Sequence, residues 1–383
     1  MEIVKELPEV FEDFGEARRN SFLTVKEYKE KGIPMVGSYC TYFPQELAMA
    51  IGAVPVSLCS TSDETIGDAE KDLPRNLCPL IKSSYGFATT EKCPFFYFSD
   101  LVVGETTCDG KKKMYEYMSE FKDVFVMRLP NHQDGNAQEN WRLEILRLKE
   151  YMEKKFGRTI TDEDIRAAIR LNNRVNRAKE KLASVMKHDP APIQGYDLFK
   201  VLYGSGYRFD KEELIASIEE MTARIEKEYA EGKNIGRKPR ILITGCPIGG
   251  ATEKVIQAVE KAGGVVVAYE NCNGEKSMAV QVDEAKDDAY DAIAERYLQI
   301  GCSVMSPNKN RFATLDRMID EYQVDGVVEM VLHCCITYDV ESVAIRRFVT
   351  GEKKKAYLGI DTDYSSSDIE QINTRVAGFL EML

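Results

Sequence analysis

The chain has 383 residues, 44% hydrophobic and 30% charged, with a formal net charge of −12. That balance fits packed cores and excludes intrinsic disorder, and the acidic excess excludes a broad nucleic-acid footprint. The opening MEIVKELPEVFEDFGEARRN lacks the apolar run of a signal peptide, and no window approaches the ~18 apolar residues of a membrane span, so a cytoplasmic protein is expected.

At roughly 100–200 residues per domain, two domains are expected. Residues 34–37 read as a short strand, 43–53 as a helix and 54–58 as a second strand. A helix is expected from about 77, a strand over 95–105, a helix over 111–121 and a strand over 123–129. Short β-rich runs alternating with helical periods predict a parallel sheet with helices on both faces. Residues 139–236 are strongly helical, and Thr161 ahead of Glu163 and Asp164 offers an N-cap with an acidic first turn. From 237 the alternation resumes, with strands over 240–245, 265–271, 325–332 and 355–361. Helices are expected over 251–263, 285–300, 312–322, 341–349 and 368–383. The fold class is α/β: two doubly wound, flavodoxin-like parallel-sheet domains joined by a helical connector. The expected boundaries are 1–138 for the N-terminal cluster-binding domain, 139–236 for the connector and 237–383 for the C-terminal domain. The basic runs Lys111-Lys112-Lys113 and Lys353-Lys354-Lys355 read as solvated faces.

Ten cysteines in a reducing compartment are not a disulfide framework. Cys40 lies just past the first strand and Cys59 directly follows the second. Cys108, Cys246 and Cys272 follow strands 95–105, 240–245 and 265–271, and Cys334 and Cys335 follow 325–332. Cys78 opens a helix, and Cys302 sits in a Gly-Cys-Ser loop expected on the same edge. Doubly wound sheets bind ligands outside the carboxyl ends of their strands. Cys93 precedes its expected strand, ~30 Å or more from Cys108 at ~3.3 Å per residue, and reads as structural.

No C-x₂-C pair suggests zinc, and His132, His188 and His333 are too dispersed for a histidine site. Thiolates delivered singly from two domains suit an iron–sulfur cluster at a domain interface. Helix amino termini behind them would favour the thiolate form. Any one loop cysteine could be inert; the set carries the reading. GCPIGGATEK (245–254) lacks the Gly-Lys-Ser/Thr ending of a phosphate loop and does not match G-x-G-x-x-G, so no ATP site is assigned. Its glycines suit close backbone approach to something bulky.

Four segments carry a family resemblance: TYFPQELAMAIGAVPVSL (41–58), NLCPLIKSSYG (76–86), DLVVGETTCDGKKKMYE (100–116) and DTDYSSSDIEQINTRVAGFLEML (361–383). Together they resemble the 2-hydroxyacyl-CoA dehydratase and benzoyl-CoA reductase superfamily over nearly the whole chain. GSYCTYFPQE (37–46), LCSTSDET (58–65), TGCPIGG (244–250) and IGCSVMSPN (300–308) bring it nearest to the double-cubane cluster proteins of that superfamily. The resemblance implies a [4Fe-4S] cubane on Cys78, Cys108 and one of Cys334 and Cys335. Cys335 is preferred because Ile336-Thr337-Tyr338 follows it.

For the second half of an [8Fe-9S] double cubane, Cys40, Cys246 and Cys302 are chosen; Cys59 and Cys272 remain alternatives. Glu46 aligns with a carboxylate near the dehydratase cluster and is the candidate proton donor or open-site ligand; its plainer reading is a first-turn acid. The implied function is that of an oxygen-sensitive reductase component. It would reduce small molecules with electrons from a separate ATP-hydrolysing iron–sulfur activator, and would itself be a homodimer. The alternatives are a single-cubane dehydratase subunit and a non-enzymatic electron store or cluster scaffold.

Overall fold

The structure is a computed structural model that describes residues 7–247 and 249–383. The chain forms two compact units. The first takes Arg19–Asn176 and Val280–Asn310; the second has Arg177–Ala279 and Arg311–Leu383 as its body.

The first unit carries four parallel strands: β1 (Met35–Ser38), β2 (Val54–Ser57), β3 (Leu101–Glu105) and β4 (Val124–Met127), in the order β2-β1-β3-β4. The second unit repeats the plan with β5 (Arg240–Gly245), β6 (Val265–Tyr269), β7 (Gly326–Leu332) and β8 (Ala356–Thr362), in the order β6-β5-β7-β8. Strands β3, β5, β6 and β7 are buried at every residue, as expected where helices cover both faces of a parallel sheet. The expected α/β class, with two flavodoxin-like sheets, is therefore the observed one. In each sheet the chain order reverses between the first and third strands, so a crevice opens there at the carboxyl ends.

The helix Ala137–Phe156 shows how the first unit fills its core. Trp141, Ile145, Leu148 and Met152 recur at helical spacing, are fully buried, and join Tyr42, Phe43, Leu47, Ile293 and Tyr297 in one cluster. The helix Asp162–Ser184 starts as expected: Asp164 N donates to Thr161 Oγ1 at 3.1 Å, and Thr161 N donates back to Asp164 Oδ2 at 3.0 Å. The division between the units falls within this helix, after Asn176.

One expected strand is corrected. Residues 95–105 split into a short helix, Pro94–Phe98, and β3. Pro94 suits a first helical turn, and Cys93 Sγ accepts from Phe96 N at 3.5 Å. This local cap outweighs the β preference of the aromatic run. No helix among the described residues is long and apolar enough to cross a membrane.

Candidate metal centre

In the first unit the loops beyond β1, β2 and β3 bring distant cysteines together. Cys78 is the N-cap of the helix Pro79–Thr89, and Cys108 is the N-cap of the helix Asp109–Met118. Neither thiol makes a capping hydrogen bond. The two helix starts are pressed together. A Cβ on Gly110 would stand 2.6 Å from Ile81 Cδ1 and 2.9 Å from Leu77 Cδ1. Glycine lets the start of the Cys108 helix lie directly against Leu77 and Ile81, which flank Cys78.

The carbonyl of Tyr39, next to Cys40, accepts two bonds. Lys111 Nζ donates at 2.5 Å, and the Cys59 thiol donates at 3.2 Å. Cys40, Cys59 and the first turn of the Cys108 helix therefore share one corner. The loop holding Cys302 returns to the first unit after the chain has run through much of the second. Tyr42 hydroxyl donates to Ile300 O at 2.8 Å, and Ser306 N donates to Asn131 O at 2.8 Å, which fix that loop on the same edge. Cys40 and Cys302 pack against the same core cluster. Cys93 precedes β3, and its sulfur accepts the cap bond described above, in keeping with a structural role.

In the second unit Gly245 ends β5 with φ +107, and a side chain there would collide with the Met330 carbonyl. This close passage sets Cys246 against β7. Cys246 N donates to Met330 O at 2.8 Å, and Leu332 N donates to Cys246 Sγ at 3.2 Å. Asn271, next to Cys272, donates to the Cys246 carbonyl. Cys335 is the N-cap of the helix Ile336–Arg347 and, like Cys78 and Cys108, makes no capping bond with its side chain. Cys334 is exposed, with a left-handed φ of +61. Cys246 and Cys335 thus flank the crevice between β5 and β7, as Cys40 and Cys108 flank the one between β1 and β3.

A buried ionic network lies in the same unit. Arg311 is fully buried and donates to Glu329 and to Thr244 Oγ1, both at 2.9 Å, and to Glu341 at 2.5 Å. Lys276 donates to the Tyr338 hydroxyl at 2.8 Å and lies 3.1 Å from Glu270. Burial opposes the Arg311 charge, but Glu270, Glu329, Tyr338 and Glu341 outweigh it and hold its pKa well above the ordinary value. The network ties β5, β6 and β7 to the Cys335 helix.

Glu46 is fully buried in the first unit. Its Oε1 accepts from Asn172 Nδ2 at 2.7 Å and its Oε2 from the Tyr297 hydroxyl at 2.9 Å. Both carboxylate oxygens are therefore held.

Sequence reasoning missed a group around Cys108. Lys111 was expected to be solvated, but only Lys112 and Lys113 are, pairing with Asp109 and Glu116. Lys111, Met114, Tyr115 and Met118 form the inward face of their helix at spacings of three and four, which is the signal that could have placed it. Glu105 is fully buried at the end of β3, where an acid in an apolar strand was the available warning. Burial pushes Glu105 up to about 8, with Lys111 pulling the other way.

Among the described residues no three His, Cys, Asp or Glu side chains converge on one metal ion. A single tetrahedral ion needs such convergence. An iron–sulfur cluster does not, because each thiolate binds its own iron. Soft thiols at three helix amino termini, none of them bonded as a cap, suit that second chemistry. The histidines are engaged elsewhere, His132 with Asp134, His188 with Glu226 and His333 with Asp361.

Comparison with known proteins gives the family. A family model described as 2-hydroxyglutaryl-CoA dehydratase, D-component, matches residues 40–383. A protein of Escherichia coli (strain K12) named as a dehydratase subunit, YjiM, is 57% identical over 384 residues, covering 100% of both chains. The (R)-phenyllactyl-CoA dehydratase beta subunit of Clostridium sporogenes is 22% identical over 97% of this chain and 98% of its own. A subunit of the benzoyl-CoA reductase of Thauera aromatica is 22% identical over 64% of each chain.

Proposed function

We propose, from the premise that the chain belongs to the 2-hydroxyglutaryl-CoA dehydratase D-component family, that it is the iron–sulfur component of a reductase fed by an ATP-hydrolysing activator. Cys78, Cys108 and Cys335 hold one cubane, and Cys40, Cys246 and Cys302 hold a second, giving an [8Fe-9S] double cubane. When bound, such a cluster supplies single electrons at low potential to a small-molecule substrate. The observation that carries this reading is the set of three thiols at helix amino termini together with cysteines on both sides of each crevice.

The chain's own contribution is placement. The helix amino termini at Cys78, Cys108 and Cys335 set the three sulfurs beside the first-turn backbone N–H groups of their helices. Leu332 N, donating to Cys246 Sγ, is such a group for a thiolate at that position. Glu46 is the assigned proton donor or open-site ligand, and it can act only by exchanging one of its bonds to Asn172 and Tyr297.

A second reading has its own support. The relatives named as dehydratase subunits favour a single-cubane dehydratase component, for which three cysteines suffice. Iron analysis of single Cys→Ser variants separates the two. Under the double-cubane reading Cys246→Ser and Cys302→Ser each lose about half of the iron or more. Under the dehydratase reading both keep the full complement, and only Cys78→Ser, Cys108→Ser and Cys335→Ser lose it.

A further inference from the structure

Glu105 lies three residues before Cys108, fully buried, and neither of its carboxylate oxygens has a hydrogen-bond partner. Two neighbouring buried atoms share that state, Thr107 Oγ1 and the Tyr115 hydroxyl. The Tyr115 ring lies over β3 on the face of Gly104, opposite to that of the next residue, Glu105, and couples to the acid at the strand end. Lys111, on the same helix face, gives its 2.5 Å bond to the Tyr39 carbonyl and not to Glu105.

A carboxylate so placed is not hydrogen-bonded, so the neutral acid is the favoured form. Lys111 and Tyr115 of the Asp109–Met118 helix interact electrostatically with Glu105, and Cys40 beyond β1 and Cys59 beyond β2 act in turn on both of them. On its other side β4 offers only Val124, Phe125, Val126 and Met127, with Met127 directly opposite. Its β4 neighbours are therefore apolar, and the charged group that acts on it, Lys111, belongs to the Cys108 helix.

We propose that Glu105 takes up a proton when the cysteine edge of the first unit gains an electron, so that charge entering the edge is balanced inside the fold. The inference rests on the iron–sulfur reading above. In the step, one electron arrives from a low-potential donor, one proton comes from solvent, and an O–H bond forms on a Glu105 carboxylate oxygen. The local charge is unchanged. Glu105 touches no reacting atom and acts through the field it places on the edge. In a poorly polarisable interior that field is weakly screened. Below its own midpoint the acid is already protonated, so the coupling is confined to the alkaline side.

The test uses anaerobically prepared holoprotein. The midpoint potential of its iron–sulfur signal is followed by electron paramagnetic resonance across neutral to alkaline pH. Wild type should show a potential that falls with pH, approaching one proton per electron, and Glu105→Gln should be flat. Tyr115→Phe, which keeps the acid, should retain the slope and displace its pH range. Equal slopes in wild type and Glu105→Gln overturn the proposal. Infrared spectra of the metal-free protein supply a readout independent of iron: a protonated-carboxyl band present in wild type and lost in Glu105→Gln. If neither protein binds iron, the proposal falls with the iron–sulfur reading. If iron binds normally but the band is missing, the proposal alone falls.

Discussion

Glu105→Gln should make the first unit more stable, and increasingly so as pH rises. A free glutamate has an ordinary value of 4.5, and burial lifts Glu105 to about 8. The raised value means that the folded state binds the proton more tightly than the unfolded chain. Its contribution is therefore full below about pH 4.5 and is lost as pH rises through about 8. By pH 7 the loss amounts to about 3 kcal/mol, at 1.36 kcal/mol per pH unit. Glutamine has no proton to lose, and its own cost of burying an unpaired amide, ~1–3 kcal/mol, does not vary with pH. The difference between the two proteins should therefore move by about 1.4 kcal/mol per pH unit between pH 5 and 7.5. The assay is urea unfolding of metal-free, reduced protein, read by tryptophan fluorescence. The single tryptophan, Trp141, is fully buried in the first-unit core and reports that unit alone. Parallel pH profiles for wild type and Glu105→Gln would refute the reasoning.

Three further outcomes are expected. Gly110→Ala should push Leu77 and Ile81 away from the Cys108 helix, lower iron content and cost about 1–3 kcal/mol by overpacking, checked by metal analysis and urea unfolding. Arg311→Met should strand buried Glu270 and Glu329 and destabilise the second unit by about 3–5 kcal/mol, measured by hydrogen exchange in β5 and β7. Cys93→Ser should keep the full iron content of wild type, because a hydroxyl can accept from Phe96 N as the sulfur does.

The sheet plan was legible because buried parallel strands are near-continuous apolar runs, as in ILITG of β5 and VVVAY of β6. The cysteine edges were legible for the same reason, since each strand end fixes where the next loop begins. Cys78 was placed at its helix start by Pro79. What failed was tertiary in origin. Phe95 and Phe96 look like strand residues until Cys93 caps the turn that contains them. Lys111 looks like its neighbours until helical phase turns it inward to the Tyr39 carbonyl, 72 residues away. Arg311 gave no local sign of being fully buried, because its partners Glu270, Glu329 and Glu341 come from three other elements.

Whether the thiolates hold a polynuclear iron–sulfur centre is decided by iron and acid-labile sulfide per chain in protein purified without oxygen. About eight irons and nine sulfides per chain are expected for the double cubane. About four of each would return the chain to the single-cubane dehydratase reading, and protein without iron would rule out the iron–sulfur centre altogether.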